Sequence, residues 1–195
     1  MSPIALRHGE RVALLGPNGA GKTTTLRAMA GLTGATHARS APRRRVAYVP
    51  QDAGASLLPW LDARANIALC GPPDEALRAV PAAADVLARR PGALSGGERQ
   101  LVALARALAT PADVFLFDEP FSALSAQTRA VVRASLRQWL DARGATLVLV
   151  THDLDDVLAL VDRAVVLQRA RSVADVDLRD DRTRRAEALR AWMRP

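Results

Sequence analysis

The stretch GPNGAGKTT, residues 16–24, fits the pattern G-x-x-x-x-G-K-[ST] with Gly16, Gly21, Lys22 and Thr23. That spacing suits phosphate chemistry. The backbone running through Gly16, Pro17, Asn18, Gly19, Ala20 and Gly21 can curl so that its N–H groups face a phosphate, joined by those of Lys22, Thr23 and Thr24 at a helix start. Lys22 is the only lysine; every other basic side chain among the 27 Lys and Arg residues is arginine. A compact, rotatable ammonium fits between β- and γ-phosphates, where the broad planar guanidinium does not suit the same loop. The Thr23 hydroxyl is placed to reach Mg²⁺.

Four further stretches carry candidate chemistry. VFLFDEP ends an apolar run on Asp118, suited to holding Mg²⁺ through water, and on Glu119, a candidate base for an attacking water. In LSGGERQLVALARAL, Ser95, Gly96 and Gly97 precede an amphipathic stretch, so a hydroxyl and exposed N–H groups stand at the positive end of a helix, a second anion site. Gln51 follows YVP, and His152 follows LVLVT. Taken alone, each has a plainer reading: the acidic pair as a turn, Ser95 as a helix cap, Gln51 as a surface residue, His152 as a core or capping histidine. Their order behind a phosphate loop is what favours chemistry.

The elements that must position these residues alternate. ERVALLG reads as a buried strand entering the glycine turn, and GKTTTLRAMAGL follows with helical spacing. RVAYVPQ, ADVFLFD, ATLVLVTH and RAVVLQ are further short β-branched and aromatic runs separated by alanine- and leucine-rich helical stretches. The expectation is an α/β fold with a P-loop core, a mostly parallel sheet and helices on both faces. Between Gln51 and Leu94 the β signal disappears and GPPD, VP and RPGA break short helical segments, which predicts a small helical subdomain inserted at about residues 52–94 of a domain spanning 1–168. Residues 169–195 are charged with a weak helical pattern, and are expected as a terminal helix or tail.

Composition bounds the rest. With 195 residues, 49% hydrophobic and 24% charged, the chain can bury one sizeable core. The net charge of +7 supports a nucleic-acid partner only weakly, since the terminal arginines are interrupted by aspartates and a solvated face accounts for them. One cysteine, Cys70, excludes an internal disulfide framework, and no Cys/His spacing suggests zinc. MSPIALRHGE is too short and polar for a signal peptide, and no apolar run approaches the roughly 18 residues of a membrane span. Any membrane role is expected through a partner.

With the phosphate loop, LSGGE, FLFDEP, Gln51 and His152 in this order over roughly residues 10 to 168, the chain resembles the ATPase subunit of ABC transporters. The resemblance implies ATP and Mg²⁺ as cofactors and a second ABC ATPase subunit packed head to tail. ATP on one subunit's Lys22 loop is then capped by the other's Ser95, Gly96 and Gly97. It implies Thr23, Asp118 and Gln51 around the metal and the attacking water, Glu119 as base, His152 as the γ-phosphate switch, and Gln51 and Lys22 among the catalytic residues. The implied partners are membrane permease subunits and a solute-binding protein, with the ATPase held peripherally at the cytoplasmic face of the membrane; no nucleic acid is expected. LLPW, residues 57–60, is similar to a segment of nitrate, sulfonate and taurine importer ATPases, and either faces a permease helix or packs locally.

Three positions depart from the family pattern: no aromatic residue lies in residues 1–47, where the family stacks adenine, Ser125 stands where aspartate is usual, and Glu98 where glutamine is commoner. Two alternatives remain: a soluble ABC ATPase acting on nucleic acid or ribosomes, which usually carries two cassettes or a coiled coil, and a degenerate cassette that binds without turnover.

Overall fold

The computed structural model describes residues 4–33, 44–179 and 189. Among the described residues six strands form one sheet: β1 (Arg11–Leu15), β2 (Val46–Val49), β3 (Val114–Asp118), β4 (Thr146–Val150), β5 (Arg163–Gln168) and β6 (Arg171–Asp177), in the order β2-β3-β4-β1-β5-β6. β1 to β5 pair in parallel and β6 runs antiparallel to β5. β3 and β4 are buried along their whole length, as expected of strands covered on both faces. On one face lies α1 (Lys22–Met29), whose Leu26 packs against Val12, Leu14, Val148 and Val165. On the other lie α4 (Gly96–Ala109), α5 (Ala126–Arg143) and α6 (Leu154–Leu160), packed through Leu104, Leu136 and Leu160 onto Phe115, Leu147 and Val166. Burying each such leucine stabilises the fold by about 1.5–3 kcal/mol.

Between Gln51 and Leu94 the chain forms helical elements only: 3-10 turns at Ala53–Ser56, Pro81–Val86 and Pro91–Ala93, with α2 (Ala63–Ala68) and α3 (Pro73–Ala79) between them. Asp62 caps α2 by accepting from the Ala65 N–H at 2.7 Å. Asn66, fully buried, accepts from Leu58 N–H and donates to the carbonyls of Leu58, Leu61 and Asp62, so the turn between Leu58 and Asp62 is held from inside. That turn splits LLPW: Leu57 joins the core, whereas Trp60 is 65% exposed.

The segment after residue 169, expected as a charged helix or tail, instead begins as a strand. Arg169 and Ala170 both take positive φ, 49° and 59°, in a tight turn whose twist suits a hairpin, and β6 follows. Its charges alternate with the half-buried Ala174 and Val176, which pack on the core, while Arg163 of β5 holds Asp175 through two hydrogen bonds of 2.7 and 2.6 Å. The weak helical pattern expected after residue 169 gives way here to a two-residue period over residues 174–177. Most of the remaining expected helix lies outside the described residues; Leu189 is helical and buried.

Candidate functional site

All the candidate residues except Ser95, Gly96 and Gly97 lie at or just after the carboxyl ends of parallel strands, where ligands collect in open α/β sheets. β1 leads into the glycine loop, β2 to Gln51, β3 to Asp118 and Glu119, and β4 to His152. A cavity of about 390 Å³ opens there, lined by Gly16, Pro17, Asn18 and Lys22 on one side and by Gln51, Glu119, Ser122 and His152 on the other.

The loop is shaped by its glycines and by β5. Gly16 sits at φ 134°, and a Cβ there would lie 2.2 Å from the Leu167 carbonyl oxygen, so no larger residue fits. Gly21 caps α1 in the left-handed conformation, and Ala170 N–H donates to the Ala20 carbonyl at 2.8 Å, tying the hairpin turn beneath the loop. Thr25 N–H reaches Gly21, which leaves the amides of Lys22, Thr23 and Thr24 ahead of the helical ladder, at the positive end of α1. The Lys22 ammonium curls back over the loop, donating to Gly16 O at 2.7 Å and Pro17 O at 3.0 Å.

The sheet register places Asp118 beside Val150, so the residues that follow each strand meet. Glu119 N–H donates to Val150 O at 2.9 Å, and Glu119 Oε2 lies 2.9 Å from His152 Nδ1. Glu119 holds φ 50°, an uncommon conformation for a residue with a side chain and one that clusters at working sites. Burial pushes its carboxyl above the usual glutamate value, partly offset by the His152 hydrogen bond. The Asp118 carboxylate is 1% exposed, and neither of its oxygens has a hydrogen-bond partner. Two unpartnered anionic oxygens behind a phosphate loop fit a hard cation. Among the described residues no cluster of three or more His, Cys, Asp or Glu could hold a metal ion.

Ser95, Gly96 and Gly97 are not brought to this cavity. They open α4, with Ser95 and Gly96 exposed. Ser95 and Glu98 form a reciprocal cap: Glu98 N–H donates to Ser95 Oγ and Ser95 N–H to Glu98 Oε2, the latter holding the Glu98 carboxyl below its usual value. A Cβ on Gly97 would stand 2.8 Å from Ala123 O, so the helix start packs closely on the turn that follows Glu119. That turn ends at Ser125, which caps α5 by accepting from Thr128 N–H, a service aspartate also renders. No motif in the sequence marks Arg129 and Arg133 of α5 or the buried Asp156 they hold behind His152.

A glycine loop between β1 and α1 and an acidic pair closing β3 of a parallel sheet make the molecule a P-loop nucleoside triphosphatase. Residues 3–122 match the ABC transporter family model, and the chain belongs to that family as one of its ATPases. The "Aliphatic sulfonates import ATP-binding protein SsuB 2" of Rhodococcus jostii is 43% identical over 182 residues, covering 88% of this chain and 73% of that relative. The "Fe(3+) ions import ATP-binding protein FbpC" of Pseudomonas fluorescens is 38% identical over 194 residues, covering 87% of this chain and 54% of that relative. Among solved structures, the dimeric post-hydrolysis state of the ATP-binding cassette MJ0796 bound to ADP and Pi matches with a TM-score of 0.77 at 27% identity, covering 90% of this chain and 88% of that one.

Proposed function

We propose that the chain powers an importer of an aliphatic sulfonate or a similar small anion such as nitrate or taurine, working at the cytoplasmic face of the membrane through permease subunits and fed by a solute-binding protein. The Glu119–His152 pair facing the Lys22 loop carries the enzymatic part of this reading. Glu119 takes the proton of a water as its oxygen bonds the γ-phosphorus and the bond to the ADP oxygen breaks. His152 orients Glu119 and senses the γ-phosphate. Lys22 and the loop amides hold the phosphates, and Thr23, Gln51 and Asp118 hold Mg²⁺. The metal, when bound, neutralises phosphate charge.

Ser95, Gly96 and Gly97 open α4 outside the lining of their own chain's cavity, which supports a second cassette as their target, and the solved relative is described as dimeric. No helix of the described residues is long and apolar enough to cross a membrane; the exposed Trp60 and the half-buried Leu58 supply the apolar contact for a permease. The sulfonate assignment rests on the higher identity to relatives of that name than to the ferric-ion relative.

The test is ATP turnover in proteoliposomes holding the chain with the permease that co-purifies with it. Turnover stimulated by an aliphatic sulfonate and its binding protein is expected. Stimulation by ferric ion instead overturns the solute class, and absence of hydrolysis overturns the enzymatic reading.

A further inference from the structure

Asp156 is a fully buried carboxylate in the first turn of α6, outside the cavity that holds the nucleotide site. Its four acceptor positions are taken. Oδ1 accepts from Arg129 Nε at 3.0 Å and Arg133 Nη1 at 3.3 Å; Oδ2 accepts from Arg129 Nη2 and from the Thr151 hydroxyl at 2.8 Å. The Thr151 hydroxyl in turn accepts from Asp153 N–H at 3.1 Å, so the residue directly before His152 is gripped on both lone-pair and proton sides.

The same contacts return to Glu119 by another way. The Arg129 guanidinium lies 5.8 Å from the centre of the Phe121 ring, and Phe121 is buried in the turn that starts at Glu119, where Ser122 N–H donates to Glu119 O. Arg129 N–H donates to Ser125 O at the end of that turn. A closed circuit therefore runs Glu119, Phe121, Arg129, Asp156, Thr151, His152 and back to Glu119 through the 2.9 Å imidazole contact.

We propose that Asp156 is a positioning residue that fixes His152 against Glu119 and couples the turn ending at Ser125 to that pair. This rests on the role assigned above to His152 in hydrolysis. A charge-paired, fully satisfied buried group has one good geometry, and displacement of a catalytic group by about 1 Å can cost on the order of a hundredfold in rate. Movement of the Ser125 turn therefore reaches the imidazole through Arg129 and Asp156 without touching nucleotide.

The experiment measures ATP turnover and nucleotide affinity of the full chain for Asp156→Asn, alone and combined with His152→Ala. Asp156→Asn is expected to lower kcat about 10- to 100-fold with nucleotide Kd within about twofold, and to cost no more than about twofold further on top of His152→Ala. An unchanged kcat, or a loss that multiplies in full in the His152→Ala background, overturns the proposal, since a merely structural carboxylate acts regardless of the imidazole. If melting shows that Asp156→Asn does not fold, Thr151→Val replaces it with the same expectations. Wild-type turnover in His152→Ala with a loss in Asp156→Asn sinks the reading of His152 and this route with it; loss in His152→Ala with none in Asp156→Asn sinks the positioning role alone.

Discussion

His152 Nδ1 stands 2.9 Å from Glu119 Oε2, joining the residue that follows β3 to one that follows β4. The glutamate side chain is 13% exposed and the imidazole 70%, so the histidine is the part of the pair open to a ligand. The contact gives the buried carboxylate a hydrogen bond that favours its ionised, proton-accepting form.

Glu119→Gln keeps the shape and the hydrogen bond while removing the base. It is expected to cut kcat by about a hundredfold or more and leave nucleotide binding intact. An ATP-bound dimer should then accumulate, seen by size-exclusion chromatography in ATP and Mg²⁺. Wild-type turnover would remove Glu119 from that role.

Lys22→Arg is expected to weaken nucleotide binding nearly as much as Lys22→Ala. The ammonium bonds two adjacent carbonyls, Gly16 and Pro17, inside the curl of the loop, a fit for a compact rotatable donor and not for a rigid fork. Calorimetry reads the affinities, and near-normal binding by the arginine variant contradicts the argument.

Gly16→Ala should destabilise the fold as well as abolish binding. The added carbon meets the Leu167 carbonyl of β5 at 2.2 Å on a backbone with φ 134°, and the conformational strain alone costs about 1–3 kcal/mol. A melting temperature within about 2 °C of wild type would show that β5 moves aside freely.

Asp175→Asn probes the β5–β6 hairpin through pH. The Arg163 hydrogen bonds hold the Asp175 carboxyl below the usual aspartate value, so the pair stabilises the fold above that range and loses its effect as pH falls through the depressed value. Asp175 is half exposed, and solvent screening limits the gain to about 1 kcal/mol or less. The variant should melt lower than wild type at neutral pH, by up to about 2–4 °C, and alike in acid once the Asp175 carboxyl is protonated. A difference that persists in acid assigns the effect to packing.

Phosphate chemistry was legible in GPNGAGKTT because a glycine turn, a helix start and a lysine are local features, read from neighbours in the chain. VFLFD and TLVLV were legible as strands for a similar reason: strands buried on both faces need continuous apolar runs. β6 was not, because a half-exposed strand signals only by alternation, and in RSVADVD the exposed positions include Val173 and the half-buried ones include Ser172, which blurs the pattern. Leu57 and Trp60, neighbours in LLPW, point to core and solvent because the buried Asn66 side chain sets the turn between them. Glu119 meets His152 only because β3 pairs with β4 in a register that puts Asp118 beside Val150, and Asp156, a near neighbour of Thr151 in the chain, reaches Arg129 only because α6 packs on α5. Residue types and short-range spacing thus defined the chemistry available to this chain, whereas sheet register and helix packing, which act between residues distant in sequence, decided which of those groups touch.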